Sequence, residues 1–331
     1  MVTTLNTLRP SPEALGTVPF QKSLANLTIL GAGAWGSALA SLAAVNGHRV
    51  RIWSRRGDLS LEDAVKGADV VLSAISMKGV AALVERLQSL AIPESTILMT
   101  ATKGLDPATT RTPSQIFQCA FPNHPVVVLS GPNLSKEIEH KLPAATVVAC
   151  QNEAVAEAVQ NLFASDCFRV YTSPDPLGAE LGGTLKNVMA IAVGVCDGLK
   201  LGSNAKAALI TRAIPEVIRI GVHMGGQAET FFGLSGLGDM LATCTSPLSR
   251  NYRVGYGLAQ GKSLEQILEE LSSTAEGVNT THVLIDLANR EGIPVPISRQ
   301  VHRLLKGVIT PQEAVEALME RDLKPESCDL I

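Results

Sequence analysis

Two lysines lie where a purely structural scaffold has no need of a charged side chain. Lys103 ends the polar run Thr100-Ala-Thr-Lys directly after a predicted strand, and Lys186 interrupts the apolar helical stretch Leu185–Val195. One interpretation is that the Lys186 ammonium reaches water along its own aliphatic chain. The other is that the ammonium is held inside the protein for proton transfer. Composition alone favours neither interpretation.

A second polar segment, Ser130-Gly-Pro-Asn133, follows the next predicted strand. The carboxyl ends of parallel strands meet at one edge of a sheet, and ligands of open α/β proteins bind there. We therefore expect this segment and Lys103 to lie at the same, ligand-binding edge of the sheet.

Further candidates follow in the last third of the chain. The run Gly236-Leu-Gly-Asp239 is followed by Ser249-Arg-Asn251, and Glu276 lies beyond them. Arg250 and Asn251 carry donors that can clamp a phosphate. The alternative for the aspartate is that it caps an ordinary loop, and the alternative for Glu276 is a surface acid.

The glycine-rich run Gly31-Ala-Gly-Ala-Trp-Gly36 fits the pattern G-x-G-x-x-G, which is weak evidence by itself. Here it follows an apolar strand and opens a helix of small residues, the context that makes the pattern specific. Gly31 permits the tight turn, Gly33 lets a pyrophosphate approach the helix N-terminus, and Gly36 allows close packing of helix on strand. The run predicts a dinucleotide site. The alternative is a strand–helix turn that binds no ligand.

The end of the following strand bears on which dinucleotide is bound. NAD-binding sites usually place an acid on the ribose 2′-hydroxyl here, whereas this strand ends in Trp53-Ser-Arg-Arg56 with no acid until Asp58. Arg55 and Arg56 suit a 2′-phosphate. The sequence therefore favours NADP(H), with NAD(H) possible. The alternative is a solvated basic turn.

Strand and helix patterns alternate between residues 27 and 174, which indicates crossover units in a parallel sheet. After Pro174 and Pro176, long helical patterns replace the strands. We predict an α/β fold: a flexible N-terminal extension at 1–26, a Rossmann-like, mostly parallel sheet domain at 27–174, and an all-helical C-terminal domain at 175–331. The predicted strands are Leu27–Leu30, Val50–Trp53, Asp69–Ile75, Thr96–Thr100, Val126–Leu129 and Ala145–Ala149.

Composition excludes several classes of function. The chain has 331 residues, 46% of them hydrophobic, so it can bury a sizeable core. A net charge of −3 and an aromatic content of 4% argue against a nucleic-acid binder. No apolar run approaches the roughly 18 residues of a membrane span, and no secretory signal is evident. The six histidines and six cysteines lack metal-ligand spacing, so we predict no metal. We also predict a cytoplasmic location.

In combination, these segments resemble NAD(P)-dependent glycerol-3-phosphate dehydrogenases of the bacterial type, from about Leu27 to about Met319. The resemblance rests on the glycine run and on later motifs. These are Ala-Thr-Lys-Gly at 101–104, Ser-Gly-Pro at 130–132, Leu-Lys-Asn-Val at 185–188, Asn204-Ala-Lys-Ala-Ala-Leu-Ile-Thr-Arg212, Gly-Leu-Gly-Asp at 236–239 and Ser-Arg-Asn at 249–251.

The resemblance implies reversible reduction of dihydroxyacetone phosphate to sn-glycerol 3-phosphate, feeding glycerophospholipid synthesis, with a homodimer formed through the helical domain. It implies that Lys186 donates and accepts the proton and that Lys103 touches both cofactor and substrate. Asp239 would orient Lys186 or a substrate hydroxyl. The implied substrate residues also include Gly131, Asn133, Ser249, Arg250 and Asn251, and the implied nucleotide residues are Ala34, Trp35, Arg55, Ser135, Arg250 and Glu276.

Two features depart from the family pattern. Members usually carry a longer segment after the second strand, whereas here Arg56 runs almost directly into Leu61–Val65. The adenine side of the pocket is therefore expected to be more open. Position 133 is Asn where Thr or Ser is frequent, and Asn still donates and accepts hydrogen bonds.

Two other functions fit part of the pattern. A β-hydroxyacid dehydrogenase shares the two-domain plan but resembles Gly-x-x-x-Lys-x-x-x-Asn, whereas position 190 is Ala and the asparagine is adjacent, at 187. A non-catalytic NADP(H) sensor would keep the glycine run but would need neither lysine nor Arg250.

Overall fold

A computed structural model describes residues 24–271, 274–323 and 325–326 of the chain. The predicted N-terminal extension lies outside the described residues as far as residue 23. Its last residue, Asn26, already belongs to the first strand.

Seven strands form one sheet in the order β2-β1-β3-β4-β5-β6-β7. All neighbouring strands are parallel except β5 and β6, so the predicted Rossmann-like, mostly parallel sheet is confirmed. The central strands are rich in Val, Leu and Ile and are buried on both faces, as expected for a parallel sheet covered by helices. The strands are β1 (Asn26–Leu30), β2 (Arg49–Trp53), β3 (Val70–Ser73), β4 (Ile97–Thr100), β5 (Val126–Ser130), β6 (Ala144–Ala149) and β7 (Phe168–Ser173).

The far edge of the sheet differs from the parallel pattern. The connection from β5 to β6 contains only a five-residue helix, which is about 7 Å long and too short to carry the chain back for a parallel crossover. Strand β6 therefore runs antiparallel to β5. Strand β7, which the sequence analysis does not predict, then pairs in parallel with β6 at the edge.

Helices cover both faces of the sheet, with one apolar cluster on each face. The first cluster packs α1 and α6 on the sheet, and the second packs α2, α3 and α4 on the other face. These helices are α1 (Ala34–Val45), α2 (Leu61–Val65), α3 (Val80–Gln88), α4 (Pro113–Ala120), α5 (Ser135–Glu139) and α6 (Glu153–Phe163).

The rest of the described chain is helical and is built around one central helix, α7 (Pro176–Gly198). By length and composition α7 could cross a membrane, but its whole apolar window is packed inside the protein, as in the core helix of a globular domain. Helices α8, α9, α10, α12 and α13 all contact it. The helices after α7 are α8 (Gly202–His223), α9 (Asp239–Cys244), α10 (Arg250–Ala259), α11 (Leu264–Leu271), α12 (Glu276–Glu291), α13 (Pro296–Leu305) and α14 (Pro311–Met319).

Helix α10 lies against α7 with backbone touching backbone. A Cβ at Gly255 would lie 1.8 Å from the Ile191 carbonyl oxygen, and one at Gly194 would lie 2.1 Å from the Tyr252 carbonyl oxygen. Any larger side chain at either glycine would push the two helices apart. This contact fixes the distance between α7, which carries Lys186, and the first turn of α10, which carries Arg250.

The N-terminal half of α7 is tied to the sheet domain by a buried carboxyl group. Glu180 accepts a 3.0 Å hydrogen bond from the Ser114 backbone N–H at the start of α4 and a second bond from the Ser114 hydroxyl. Burial raises the pKa of Glu180 to about 7, although these hydrogen bonds act in the opposite direction. The carboxyl group therefore titrates near neutral pH.

We expect Glu180→Gln to change how stability depends on pH. The folded-state pKa of Glu180 lies above its ordinary 4.5, so its contribution to stability is present below that pH and is lost as pH rises through about 7. Glutamine stays neutral and still accepts the Ser114 N–H. Between about pH 5 and about pH 8, the free energy of unfolding of the variant, measured with denaturant, should rise relative to that of the wild type by on the order of 1–3 kcal/mol. A constant difference would contradict the assignment.

Candidate active site

Two lysines meet one aspartate where the sheet and the helices adjoin. The Lys186 Nζ donates to Asp239 Oδ1 at 2.6 Å, and the Lys103 Nζ donates to Asp239 Oδ2 at 2.5 Å. Lys186 is only 6% exposed and Asp239 only 2%, whereas Lys103 is half-buried. The structure thus brings together the three residues predicted to be catalytic. Lys186 does not reach water along its chain, so that interpretation is wrong.

Local structure accounts for this meeting of distant segments. Lys103 follows β4, and the adjacent Gly104 N–H donates to the Thr184 hydroxyl on α7, one helical turn or less from Lys186. Asp239 is the first residue of α9 and directly follows a π-helical turn at Leu234–Gly238. The Gly-Leu-Gly-Asp run is therefore not an ordinary capped loop.

The environment of Lys186 sets its basicity. Burial lowers the pKa of Lys186 to about 8, with the Lys103 ammonium acting in the same direction and the Asp239 carboxylate opposing both. At neutral pH the group is therefore charged, yet it can lose its proton at modest cost. A proton donor and acceptor for a reversible reaction needs a pKa in this range.

Thr243 is a further member of the cluster, and no motif in the sequence points to it. The Lys186 Nζ donates to its hydroxyl, which in turn donates to Asp239 Oδ1 at 3.2 Å. Thr243 lies four residues after Asp239 on α9, so both side chains share one helix face. Once Asp239 is known to begin a helix, the Asp-x-x-x-Thr spacing predicts that Thr243 lies on the same helix face.

The segment after β5 lies beside Lys103, as expected. The Lys103 Nζ also lies 3.4 Å from the Gly131 carbonyl oxygen. Gly131 has φ +153°, and a Cβ there would meet Thr146 at 3.0 Å. The Asn133 side-chain nitrogen donates to the Thr146 hydroxyl at 2.9 Å, whereas its Oδ1 is buried without a partner among the described residues.

The Ser-Arg-Asn run forms the start of α10. The Ser249 hydroxyl accepts from the Tyr252 backbone N–H, and Asn251 Oδ1 accepts from the Gly277 N–H at 3.0 Å. A Cβ at Gly277 would lie 2.7 Å from the Asn187 carbonyl oxygen, so Asn251 is coupled to α7 next to Lys186. These oxygens serve the fold, which leaves the Asn251 amide N–H groups and the exposed Arg250 side chain as donors towards an anion.

The glycine run has the shape that a pyrophosphate requires. Gly31 adopts φ +130°, and a Cβ at Gly36 would lie 2.0 Å from the Gly31 carbonyl oxygen, so strand and helix approach closely. A Cβ at Gly33, by contrast, would meet no protein atom within 4 Å. No side chain caps the N-terminus of α1, so its first N–H groups point into this open space. The residues present fit a dinucleotide.

The other predicted nucleotide residues surround this turn or lie near the lysines. Arg55 and Arg56 are exposed in the turn after β2, and neither forms an ion pair within the part of the chain that the structure describes. Glu276 begins α12 beside Gly104, and burial raises its pKa while nearby Arg250 lowers it, so it is not a simple surface acid. Ala34 is exposed at the start of α1, and Trp35 and Ser135 are half-buried.

Family models cover most of the chain. Residues 175–316 match the model described as NAD-dependent glycerol-3-phosphate dehydrogenase C-terminus. Residues 26–61 and 56–156 match the corresponding N-terminus model in two pieces. The two pieces meet at 56–61, where the sequence analysis places the shortened segment after Arg56.

Individual relatives agree with the family models. A protein of Acaryochloris marina named glycerol-3-phosphate dehydrogenase (NAD(P)+) is 72% identical over 305 residues, covering 92% of this chain and 98% of that protein. The crystal structure of glycerol-3-phosphate dehydrogenase from Coxiella burnetii superposes with a TM-score of 0.86 at 34% identity, covering 90% of this chain and 99% of that one. A Mycobacterium tuberculosis 3-hydroxyisobutyrate dehydrogenase, with a TM-score of 0.51 at 14% identity over 89% of this chain and 99% of that one, shares the fold alone.

Proposed function

Because this chain belongs to the NAD-dependent glycerol-3-phosphate dehydrogenase family, we propose that it catalyses the reversible, NAD(P)H-dependent reduction of dihydroxyacetone phosphate to sn-glycerol 3-phosphate. The product would feed glycerophospholipid synthesis. The observation that carries the proposal is the buried Lys186 ammonium, paired with Asp239 beside Lys103, where sheet and helices adjoin.

Lys186 is the proton donor for reduction in this proposal. When bound, the reduced nicotinamide supplies a hydride to the substrate carbonyl carbon. Negative charge then develops on the carbonyl oxygen, and the Lys186 ammonium stabilises it and transfers a proton to it. In the reverse direction the neutral Lys186 amine accepts the hydroxyl proton. Asp239 holds the Lys186 Nζ at 2.6 Å and keeps it oriented in both states.

The charge balance of the cluster favours an anionic substrate. Two ammonium groups share the single carboxylate of Asp239, which leaves excess positive charge in a largely buried site. Lys103 is the more exposed of the two lysines, so we assign it contact with both substrate and cofactor. Electrostatic attraction of this kind concentrates phosphorylated ligands at the site.

Residues remote from the carbonyl would hold the phosphate. We assign this role to Arg250 and Asn251, with Ser249, Gly131 and Asn133 completing the substrate site. Binding energy from the phosphate would fix the carbonyl against Lys186, which is how a non-reacting group contributes to kcat.

We propose NADP(H) as the preferred cofactor, with NAD(H) also used. Arg55→Ala and Arg56→Ala together should lower kcat/KM for NADPH by roughly 10–100-fold, because each guanidinium makes charge-assisted bonds to the 2′-phosphate. kcat/KM for NADH should change little. Lys66→Ala, which removes an exposed cation just beyond α2, is the matched control. Equal losses with both cofactors would contradict the assignment.

We also propose a cytoplasmic homodimer, which the family resemblance supports. Loss of nicotinamide absorbance on adding dihydroxyacetone phosphate to the protein and NADPH tests the main proposal. Turnover with a β-hydroxyacid and NADP+ but not with the triose would favour a β-hydroxyacid dehydrogenase. NADPH binding without turnover of either substrate would indicate a sensor.

A further inference from the structure

A second polar cluster lies outside the lysine site and joins three helices. Asp197, in the last turn of α7, accepts a 2.6 Å hydrogen bond from the Lys206 Nζ on α8 and a 2.8 Å bond from the Tyr252 hydroxyl on α10. The Lys206 ammonium also lies 6.0 Å from the centre of the Tyr252 ring. Lys206 belongs to the Asn204–Arg212 motif, to which the proposed mechanism assigns no task.

Tyr252 connects this cluster to the proposed substrate site. Tyr252 directly follows Arg250 and Asn251, so it belongs to the helical turn that would hold the phosphate. Its carbonyl oxygen packs on Gly194, and its hydroxyl reaches Asp197. Displacing the hydroxyl would displace the turn that carries both phosphate residues.

The glycine contact between α7 and α10 sets the spacing of the two helices but not, by itself, their relative rotation. Gly194 and Gly255 fix how closely the two helices approach. A surface of glycines, however, lacks the side-chain ridges and grooves that resist rotation or sliding of one helix on another. The Tyr252–Asp197 hydrogen bond restrains rotation at the start of α10, because it joins a side chain of one helix to a side chain of the other. At the end of α10, Gln260 Nε2 donates to the Gly198 carbonyl oxygen at 2.8 Å.

We propose that Asp197, Lys206 and Tyr252 form a positioning cluster that sets the rotation of α10 on α7, so that Arg250 and Asn251 meet the phosphate of a substrate bound at Lys186. The inference rests on the proposed function, because it takes the phosphate role of Arg250 as given. None of the three residues would contact the reacting atoms. They act through Arg250 and Asn251.

The cluster is better suited to positioning than to stabilising the fold. The side chains of Lys206 and Asp197 are 26% and 24% exposed, and ion pairs with that much solvent access contribute little to the free energy of folding. Burial and the Asp197 carboxylate raise the pKa of Tyr252 to about 12, so its hydroxyl remains a donor throughout the neutral range. The hydrogen bond from Tyr252 to Asp197 is thus retained throughout that range.

Steady-state kinetics of Tyr252→Phe in the full chain tests the proposal. We expect KM for dihydroxyacetone phosphate to rise by roughly 3–10-fold, the range for loss of one typical intramolecular hydrogen bond. kcat should stay within about twofold, and KM for NADPH should change less than KM for the triose, because Arg250 is only one of several residues expected to contact the nucleotide. Asp197→Ala should match this effect, and Asp197→Asn should show less of it, because the amide oxygen still accepts from Tyr252.

Tyr256→Phe is the matched control. It removes a hydroxyl from the tyrosine that stacks on Tyr252, with ring centres 6.2 Å apart, without touching Asp197. It should change none of the constants. An unchanged KM for the triose in Tyr252→Phe would overturn the proposal. A lower kcat, a rise in both KM values and a lowered Tm, all together, would overturn it too, because they would indicate a purely structural role.

Arg250→Ala separates failure of this inference from failure of the proposed function. If Arg250→Ala leaves KM for the triose unchanged, the phosphate role of Arg250 is wrong and the positioning proposal falls with it. If Arg250→Ala raises KM but Tyr252→Phe does not, only the positioning proposal fails. If both raise KM, Tyr252→Phe should have little further effect in the Arg250→Ala background, because Tyr252 acts through Arg250.

Discussion

Replacing Lys186 with alanine is expected to lower kcat for reduction of dihydroxyacetone phosphate by roughly 10³-fold. The Lys186 ammonium is the buried donor that is already paired with Asp239 and titrates close to neutral pH. Alanine removes both the charge that stabilises the developing alkoxide and the proton that neutralises it. The glycine turn is untouched, so the Kd for NADPH, measured by fluorescence titration, should stay within about twofold of the wild type.

Lys306→Ala is the control for Lys186→Ala, because it deletes an exposed lysine that follows α13. Its kcat should equal that of the wild type. Near wild-type turnover in Lys186→Ala would remove Lys186 from the mechanism. Loss of both NADPH binding and turnover would instead indicate that the substitution disturbs the fold around α7.

Asp239→Asn should lower kcat/KM for the triose by on the order of 10²-fold near pH 8. Both lysine ammonium groups then share a neutral amide, so nothing offsets their mutual repulsion. The Asp239 carboxylate is also the group that raises the pKa of Lys186 against burial. Its removal should move the pH at which reduction declines to a value below that of the wild type.

Thr243→Val is the comparison for Asp239→Asn. It removes the other hydrogen-bond partner of the Lys186 Nζ but leaves every charge in place. The loss in kcat/KM should be smaller, and the midpoint of the pH profile should shift less than in Asp239→Asn. If reduction by Asp239→Asn declines at the same pH as in the wild type, Asp239 does not control the proton affinity of Lys186.

Much of the sheet follows from the sequence because its central strands are buried on both faces. Continuous apolar runs predict β1, β3, β4, β5 and β6, and the alternation of Val50-Arg-Ile-Trp53 predicts the edge strand β2. Strand β7, at the other edge, is not predicted: only Phe168 and Val170 are buried, and the strand ends in the polar residues Thr172 and Ser173. Half of its residues therefore give no apolar signal.

The site could be predicted in part for a related reason. Lys103 and the Ser130–Asn133 segment follow neighbouring parallel strands, so topology alone places them together. Asp239 lies 53 residues from Lys186, and no local pattern predicts that contact. Whether the Lys186 ammonium reaches water or is buried is likewise open until the packing of α7 is known. Composition cannot distinguish a lysine on a helix exposed along one side from one on a helix buried on all sides.

The pH dependence of kcat/KM in both directions is the sharpest test of Lys186 as proton donor and acceptor. Lys186 must be charged to reduce the ketone and neutral to oxidise the alcohol, and burial sets its pKa at about 8. Reduction with NADPH should therefore fall, and oxidation of sn-glycerol 3-phosphate should rise, through one shared midpoint near that pH. Profiles that move in the same direction, or a midpoint that persists unchanged in the residual activity of Lys186→Ala, would contradict the assignment of Lys186 as proton donor and acceptor.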